Sequence, residues 1–281
     1  MVVSPEHPEP AAFSEGVPCW VDAALPDVAA GKRFYGELLG WTFGAAAPDY
    51  GSYTQAFHDG GNVAALVAKP DGRMPTVWSV YLATADAAGA AGRVRDAGGT
   101  VITDPVRVGD FGTLAVVADP DGAVFNLWQA GSHAGFEKQG QPGSYGWAEV
   151  YTRTPERVDA FYETVFGLRV EPDDEAGRPG FARWIPRDRP AGARHAVGGR
   201  GLISSGYPEE MPAHFVTYFV VEDCDVAVAT TRRLGGRVAI DPVTTPHGRS
   251  AVVVDNQGAS FAVIDTRTRG DAQPPAESAS A

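Results

Sequence analysis

Apolar positions along this chain fall into short runs with a period of two, broken by stretches with a helical period, and the succession occurs twice. "PCWVDAAL" (18–25) reads as a strand. Alternation puts Trp20, Asp22 and Ala24 on one face and Cys19, Val21 and Ala23 on the other, the second set small and apolar enough to pack beneath helices. A helix follows: Asp27 is placed to cap its free N–H groups, Phe34 and Leu38 share a face one turn apart, and Gly40 closes it. Short strands are predicted near 51–57 and 62–68, a longer one at 76–84, and a second helix over 86–97 that ends in Gly98-Gly99. Three strands close the half, with "DPDG" (119–122) as a tight turn between the last two.

The second half repeats the first. Trp20, Phe34-Tyr35 and Gly40 recur as Trp147, Phe161-Tyr162 and Gly167; "DAGGTVITDP" (96–105) recurs as "RLGGRVAIDP" (233–242). "VVADPDGAVFNLWQ" has its counterpart in "VVVDNQGASFAVID". Thr154 is the predicted cap of the repeated helix, with Pro155 in its first turn, where a missing N–H costs nothing. The displacement between copies grows along the chain, so the second carries an insertion, assigned to the Pro-, Gly- and Arg-rich stretch 171–212. The predicted organisation is a mobile tail (1–14), a first domain (15–131), a linker (132–144), a second domain (145–266) and a mobile tail (267–281).

Composition narrows the partners. A net charge of −12 argues against nucleic acid, which needs a basic face, while remaining compatible with a cationic ligand. No apolar run is long enough for a membrane helix and no secretory signal is visible, so a cytoplasmic location is expected. The two cysteines, Cys19 and Cys224, lie far apart without metal-type spacing, and no disulfide is expected. Neither a phosphate loop nor a nucleophile elbow is present.

Asp27 with "FYGELLGW", the terminal "DPDGAVFNLWQ" and their second copies resemble the vicinal oxygen chelate superfamily of glyoxalases, bleomycin-resistance proteins and extradiol dioxygenases, in its two-domain actinobacterial glyoxalase-like form. The resemblance implies an α+β fold of tandem glyoxalase-like domains, each a pair of βαβββ modules curled into an open eight-stranded cup. It also implies, in many members, a divalent metal at the cup floor held by His, Gln or Glu. Transferred position by position, the first ligand falls on Trp20 and Trp147, the next on Ser79 and Val216, and the last on Asn126 and Ala262. Indole has no lone pair to offer, and His214 alone does not make a site. No metal and no other cofactor is therefore expected.

Strand alternation predicts instead two aromatic cups, each with one carboxylate. Trp20, Asp22, Ser79, Tyr81, Asn126 and Trp128 would line the first; Trp147, Glu149, Tyr151, His214 and Tyr218 the second. A carboxylate walled by aromatics can be poised as a proton carrier, which makes Asp22 and Glu149 candidate catalytic groups. The alternative is that each is tied to backbone N–H groups or to an arginine. Two functions stand open: a metal-independent enzyme of isomerase or lyase type acting on a small oxygenated, aromatic metabolite, or a protein that sequesters such a molecule; a metal-dependent glyoxalase or dioxygenase is a minor third. A homodimer is compatible with either. His133 and His247 are expected in exposed loops, and the sides taken by Arg183 and Trp184 stay open.

Overall fold

The computed structural model describes residues 13–173 and 178–270. Most of the two expected tails lies outside that range. The first half runs β1 (Pro18–Leu25), α1 (Val28–Leu39), β2 (Thr42–Phe43), β3 (Thr54–His58), β4 (Gly61–Ala68), β5 (Trp78–Ala83), α2 (Ala87–Asp96), β6 (Thr100–Val108), β7 (Gly112–Ala118) and β8 (Val124–Ala130). The second runs β9 (Tyr145–Thr152), α3 (Pro155–Phe166), β10 (Leu168–Pro172), β11 (Ala182–Pro186), β12 (Gly198–Leu202), β13 (His214–Val220), α4 (Cys224–Arg233), β14 (Arg237–Thr245), β15 (Gly248–Val254) and β16 (Ser260–Asp265).

Each half forms one eight-stranded mixed sheet, ordered β2-β3-β4-β1-β5-β8-β7-β6 and β10-β11-β12-β9-β13-β16-β15-β14. Within each sheet two four-stranded modules meet at an antiparallel seam, β1 against β5 and β9 against β13. This is the α+β vicinal oxygen chelate architecture, two open cups in one chain. Both cysteines are free and buried. No helix among the described residues is long and apolar enough to cross a membrane.

Local chemistry explains the helix ends. Asp27 accepts from the Ala30 N–H, and Gly40 and Gly167 close their helices with φ of 71° and 66°, where a side chain would be strained. Thr154 departs from expectation: its side chain makes no capping bond, and its Oγ1 is buried without a partner. Its backbone N–H donates instead to Thr152 Oγ1, whose own hydroxyl donates to Asp121 of the first half.

That contact belongs to a reciprocal set. Asp121, in the first half's turn, accepts from Thr152 Oγ1 and the Arg153 N–H. Its counterpart Gln257 brackets Asp27, accepting from its N–H at 2.7 Å and donating to its carbonyl at 2.9 Å. Tyr35 donates to Asp255 (2.8 Å) as Tyr162 donates to Asp119 (3.4 Å). The opening helix of each half thus rests on the closing turn of the other, and one continuous hydrophobic core contains residues of both. Trp78 of β5 meets Phe219 of β13 edge to face, with ring centroids 4.8 Å apart.

Candidate functional site

The two cups share their strand alternation and differ in what it presents. On β1, Trp20 and Asp22 face the first cup with Tyr81 and Ser79 paired opposite them on β5, and Asn126 of β8 lies beside Tyr81. Trp128 reaches the Tyr81 ring at 6.2 Å. The six residues come together as expected. Asp22 Oδ2 accepts from Tyr81 in a short bond and from Tyr53 at 3.1 Å, and Tyr53 in turn accepts from the Trp20 indole at 2.8 Å. No cation pairs with Asp22 among the described residues. Burial pushes its carboxyl up to about 6, against the opposing pull of the tyrosine hydroxyls and Ser79.

The first cup is also filled from within the chain. The segment after β8 returns over Trp20: His133 lies edge-on to that indole at 4.6 Å, and Phe136 packs on it at 5.5 Å. The Trp128 indole donates to the His133 carbonyl, and the Phe136 N–H donates to the Cys19 carbonyl. His133 is therefore half-buried rather than an exposed loop residue, and burial lowers its pKa despite the opposing charge of Glu137. Trp20, Asp22, Tyr81, Asn126 and Trp128 are all buried.

In the second cup Glu149 of β9 is as buried as Asp22 but is met by a guanidinium. Arg178 donates from Nη1 to Oε2 (2.8 Å) and from Nη2 to Oε1 (2.7 Å), a bidentate pair. Tyr218 and Tyr151 add hydroxyl donors to Oε2 at 2.9 and 3.1 Å. Burial acts to raise the Glu149 carboxyl, but the Arg178 charge and these bonds outweigh it, and the group sits below the ordinary carboxylate range. Arg178 itself lies over the Phe181 ring, its guanidinium carbon 3.9 Å from the centroid.

Above this floor opens a cavity of about 270 Å³ walled by Trp147, Phe181, Tyr218, Val220 and Ile264, with Glu149, Arg178, Asp173, Arg183 and His247 as its charged or titratable lining. Trp147, Glu149 and Tyr218 line it as the sequence predicts. Tyr151 holds Glu149 from outside the lining, and His214 stacks on Tyr151 at 5.5 Å with its Nδ1 at the Pro212 carbonyl. His214 is thus a support for the wall rather than part of it.

Three lining residues were missed or left unassigned by sequence reasoning, and a fourth, His247, is the exposed loop residue that was expected but also edges the cavity. Arg178 and Asp173 carried no motif, and the side taken by Arg183 stayed open. Adjacent positions on β11 resolve that question: Arg183 turns to the cavity, and Trp184 is fully buried against Tyr162 with ring centroids 4.3 Å apart. The one usable signal for Arg178 was the arginine content of the insertion.

A family-type metal does not fit either cup. The transferred ligand positions hold Trp, Ser and Asn in one and Trp, Val and Ala in the other. Asp22 is met by the hydroxyls of Tyr81, Tyr53 and Ser79, and both Glu149 oxygens are taken by Arg178, whose charge would repel a cation. Among the described residues no three His, Cys, Asp or Glu side chains are grouped to hold an ion.

Comparison with known proteins agrees with the architecture. Residues 20–127 match the family model of the Glyoxalase/Bleomycin resistance protein/Dioxygenase superfamily, and residues 147–264 match that of the Glyoxalase-like domain. The anthracycline biosynthesis protein DauV of Streptomyces sp. (strain C5) is 38% identical over 272 residues, covering 91% of this chain and 95% of its own. Among solved structures, the Mn(II)-bound glyoxalase from Novosphingobium aromaticivorans superposes with a TM-score of 0.60 at 16% identity, covering 92% of this chain and 87% of its own. The 2,3-dioxygenase LapB from Pseudomonas sp. KL28 gives 0.60 at 14% identity, over 94% and 97%. At such identities the two structures speak for the fold alone. With both halves matched and a relative this similar over nearly its full length, the chain belongs to the glyoxalase/bleomycin resistance protein/dioxygenase superfamily.

Proposed function

We propose that the second cup binds a small, flat, oxygenated aromatic metabolite and acts on it by proton transfer, of isomerase or lyase type, without a bound metal ion. The observation that carries this reading is the cavity itself: apolar and aromatic walls converge on a few fixed polar groups, the usual composition of a small-molecule site. Trp147, Phe181 and Tyr218 offer surfaces for a flat ring system, and the anchored Arg178 offers a fixed positive charge toward a ligand oxygen. The name of the 38%-identical relative, an anthracycline biosynthesis protein, points to polycyclic aromatic ligands.

In this reading the roles first assigned to the two carboxylates change. Glu149 is an ionised anchor that positions Arg178, because a carboxyl held below its ordinary range is a weak base. Asp22 is the carboxylate with the raised pKa, but it lies beneath the His133–Phe136 segment. The test is a titration of tryptophan emission with 2-hydroxyanthraquinone, beside elemental analysis of the purified protein. Saturable quenching that Trp147→Leu and Arg178→Met weaken at least tenfold is the expected result. Absence of quenching, or a stoichiometric tightly held metal, overturns it.

A sequestering protein is the second reading, favoured by the full occupation of the Glu149 oxygens, which leaves that carboxylate an anchor alone. Recovery of ligand after long incubation separates the two: unchanged ligand supports sequestration, and an altered product supports catalysis.

A further inference from the structure

The cavity holds a second polar cluster that the Glu149–Arg178 pair does not use. Asp173 directly follows β10, and its side chain is 1% exposed. Neither of its carboxylate oxygens has a hydrogen-bond partner among the described residues. His247 Nε2 stands 3.3 Å from Oδ2, and Arg183 Nη1 stands 3.5 Å from the same oxygen. Arg183 Nε is likewise buried and unpartnered. All three side chains line the cavity.

Buried polar atoms are almost always satisfied, yet Asp173 Oδ1 and Arg183 Nε have no hydrogen-bond partner among the described residues, and Asp173 Oδ2 faces the His247 ring and the Arg183 guanidinium at ion-pair distance, so this wall carries charge that the fold itself does not fully use. The arrangement has direction. With Nε2 turned to the carboxylate, Nδ1 is the imidazole nitrogen left for a ligand. An imidazole backed by a buried carboxylate is suited to take up a proton, since the carboxylate orients the ring and faces the positive charge that develops.

We infer that His247 and Asp173 form the proton-transfer pair of this cup, acting on the acidic O–H of a phenolic ligand, with Arg183 facing the oxyanion that results. The inference rests on the reading of the second cup as an aromatic-ligand site. In the step, the phenol O–H bond breaks and its electron pair stays on oxygen. The proton forms a new N–H bond at His247 Nδ1, the imidazolium faces Asp173, and the phenolate faces Arg183. Reversal returns the proton, and no oxidant or reductant is consumed. Asp173 acts through the ring and is a positioning residue. The remaining charged groups on the cavity wall, Glu149 of β9 and Arg178, are committed to each other.

The test uses the full-length protein and 2-hydroxyanthraquinone, whose visible band moves to longer wavelength when its phenol ionises. Bound dye is expected to ionise about one pH unit below free dye, a tenfold gain in the ionised form. Near neutral pH, binding heats measured in buffers of different ionisation enthalpy should show no proton released to solvent, because the protein keeps it. His247→Gln should return the ionisation midpoint toward that of free dye. Asp173→Asn should move it part of the way while leaving the dye's dissociation constant within about threefold, a change of roughly 0.7 kcal/mol.

Dye that binds wild type but ionises identically in His247→Gln overturns the inference and leaves the aromatic-site reading intact. So does dye that ionises on wild type with a full proton released to buffer, which would assign the effect to the arginines alone. If the dye does not quench wild-type tryptophan emission, the aromatic-site reading falls and takes the inference with it. Should Asp173→Asn fail to fold, His247→Gln decides, since its side chain is 45% exposed on a hairpin turn and its loss leaves the core untouched.

Discussion

Asp22 and Glu149 occupy the same position in two copies of one module, each two residues past a tryptophan and each beneath a pair of tyrosine hydroxyls. One faces no cation among the described residues and is pushed up to about 6; the other faces Arg178 and is held below the ordinary range. The hydroxyl donors are common to both, so the guanidinium decides the difference. Above the first carboxylate the chain folds back and fills the cup with its own His133 and Phe136. Above the second there is a cavity. Duplication thus supplied two equivalent pockets, and the unequal pieces, a linker in one half and an insertion in the other, gave each its own environment.

Breaking the filled cup should cost most. Phe136→Ala removes a buried ring stacked on Tyr145 at 4.6 Å and packed on Trp20. The expected loss is about 4 kcal/mol, typical of a Phe→Ala change in a core. Urea denaturation reads the loss, and dye-binding stoichiometry reads its consequence. Space alone should not create a second site, because the first cup has no counterpart of Arg178 among the described residues, so the stoichiometry should stay at one. A stoichiometry of two would show that the linker, and not the missing guanidinium, separates the cups.

Removing the cation is expected to come next. Arg178→Met strands Glu149 with a 3% exposed side chain. An uncompensated buried charge costs about 3–5 kcal/mol, and the 35% exposure of the Arg178 side chain sets the expectation at the lower end, about 3. The paired carboxylate stabilises the fold above its unfolded pKa and ceases to do so as pH falls through its depressed folded value. The penalty of Arg178→Met should therefore shrink in acid, and Arg178→Met with Glu149→Gln should recover most of it at pH 7.

Asp22→Asn runs the other way. A carboxyl raised from 3.8 to about 6 holds its proton more tightly folded than unfolded. Its favourable contribution is complete below pH 3.8 and is lost as pH rises through 6. An asparagine imitates the protonated form, so the variant should match wild type near pH 3.5 and exceed it by roughly 2–3 kcal/mol at pH 7. Dye binding in the second cup should not change. Equal stability at both pH values would mean that Asp22 has a counter-charge.

Much of this comparison was legible in the sequence because it depends on local rules. Alternation placed Trp20 with Asp22 and Trp147 with Glu149, Asp27 announced a helix start, and Gly40 and Gly167 announced helix ends. What was hidden depends on contacts between distant segments. Arg178 comes from an insertion with no counterpart in the other half, so repeat comparison is silent about it. Asp173 and His247 flank one cavity from loops widely separated along the chain. Thr154 misled because its helix start is organised from the first half, through Asp121, rather than by its own hydroxyl.

The smallest expected effect tests that cross-half bracing. Gln257 and Asp121 are counterparts that each tie down the start of the other half's first helix, one with a neutral amide and one with a carboxylate. Gln257→Ala removes two neutral hydrogen bonds from partly exposed backbone, for a loss of roughly 1 kcal/mol. Asp121→Ala removes charge-assisted bonds, for about twice as much at pH 7. Burial acts to raise the Asp121 carboxyl, but the bonds from the Thr152 hydroxyl and the Arg153 N–H act against it, and the pKa is depressed. Its stabilising share is thus present above pH 3.8 and is lost as pH falls through the depressed value. The cost of Asp121→Ala should fade as pH falls below 3.8 while that of Gln257→Ala stays level. Parallel pH profiles for the two variants would mean that the charge on Asp121 contributes nothing to holding the halves together.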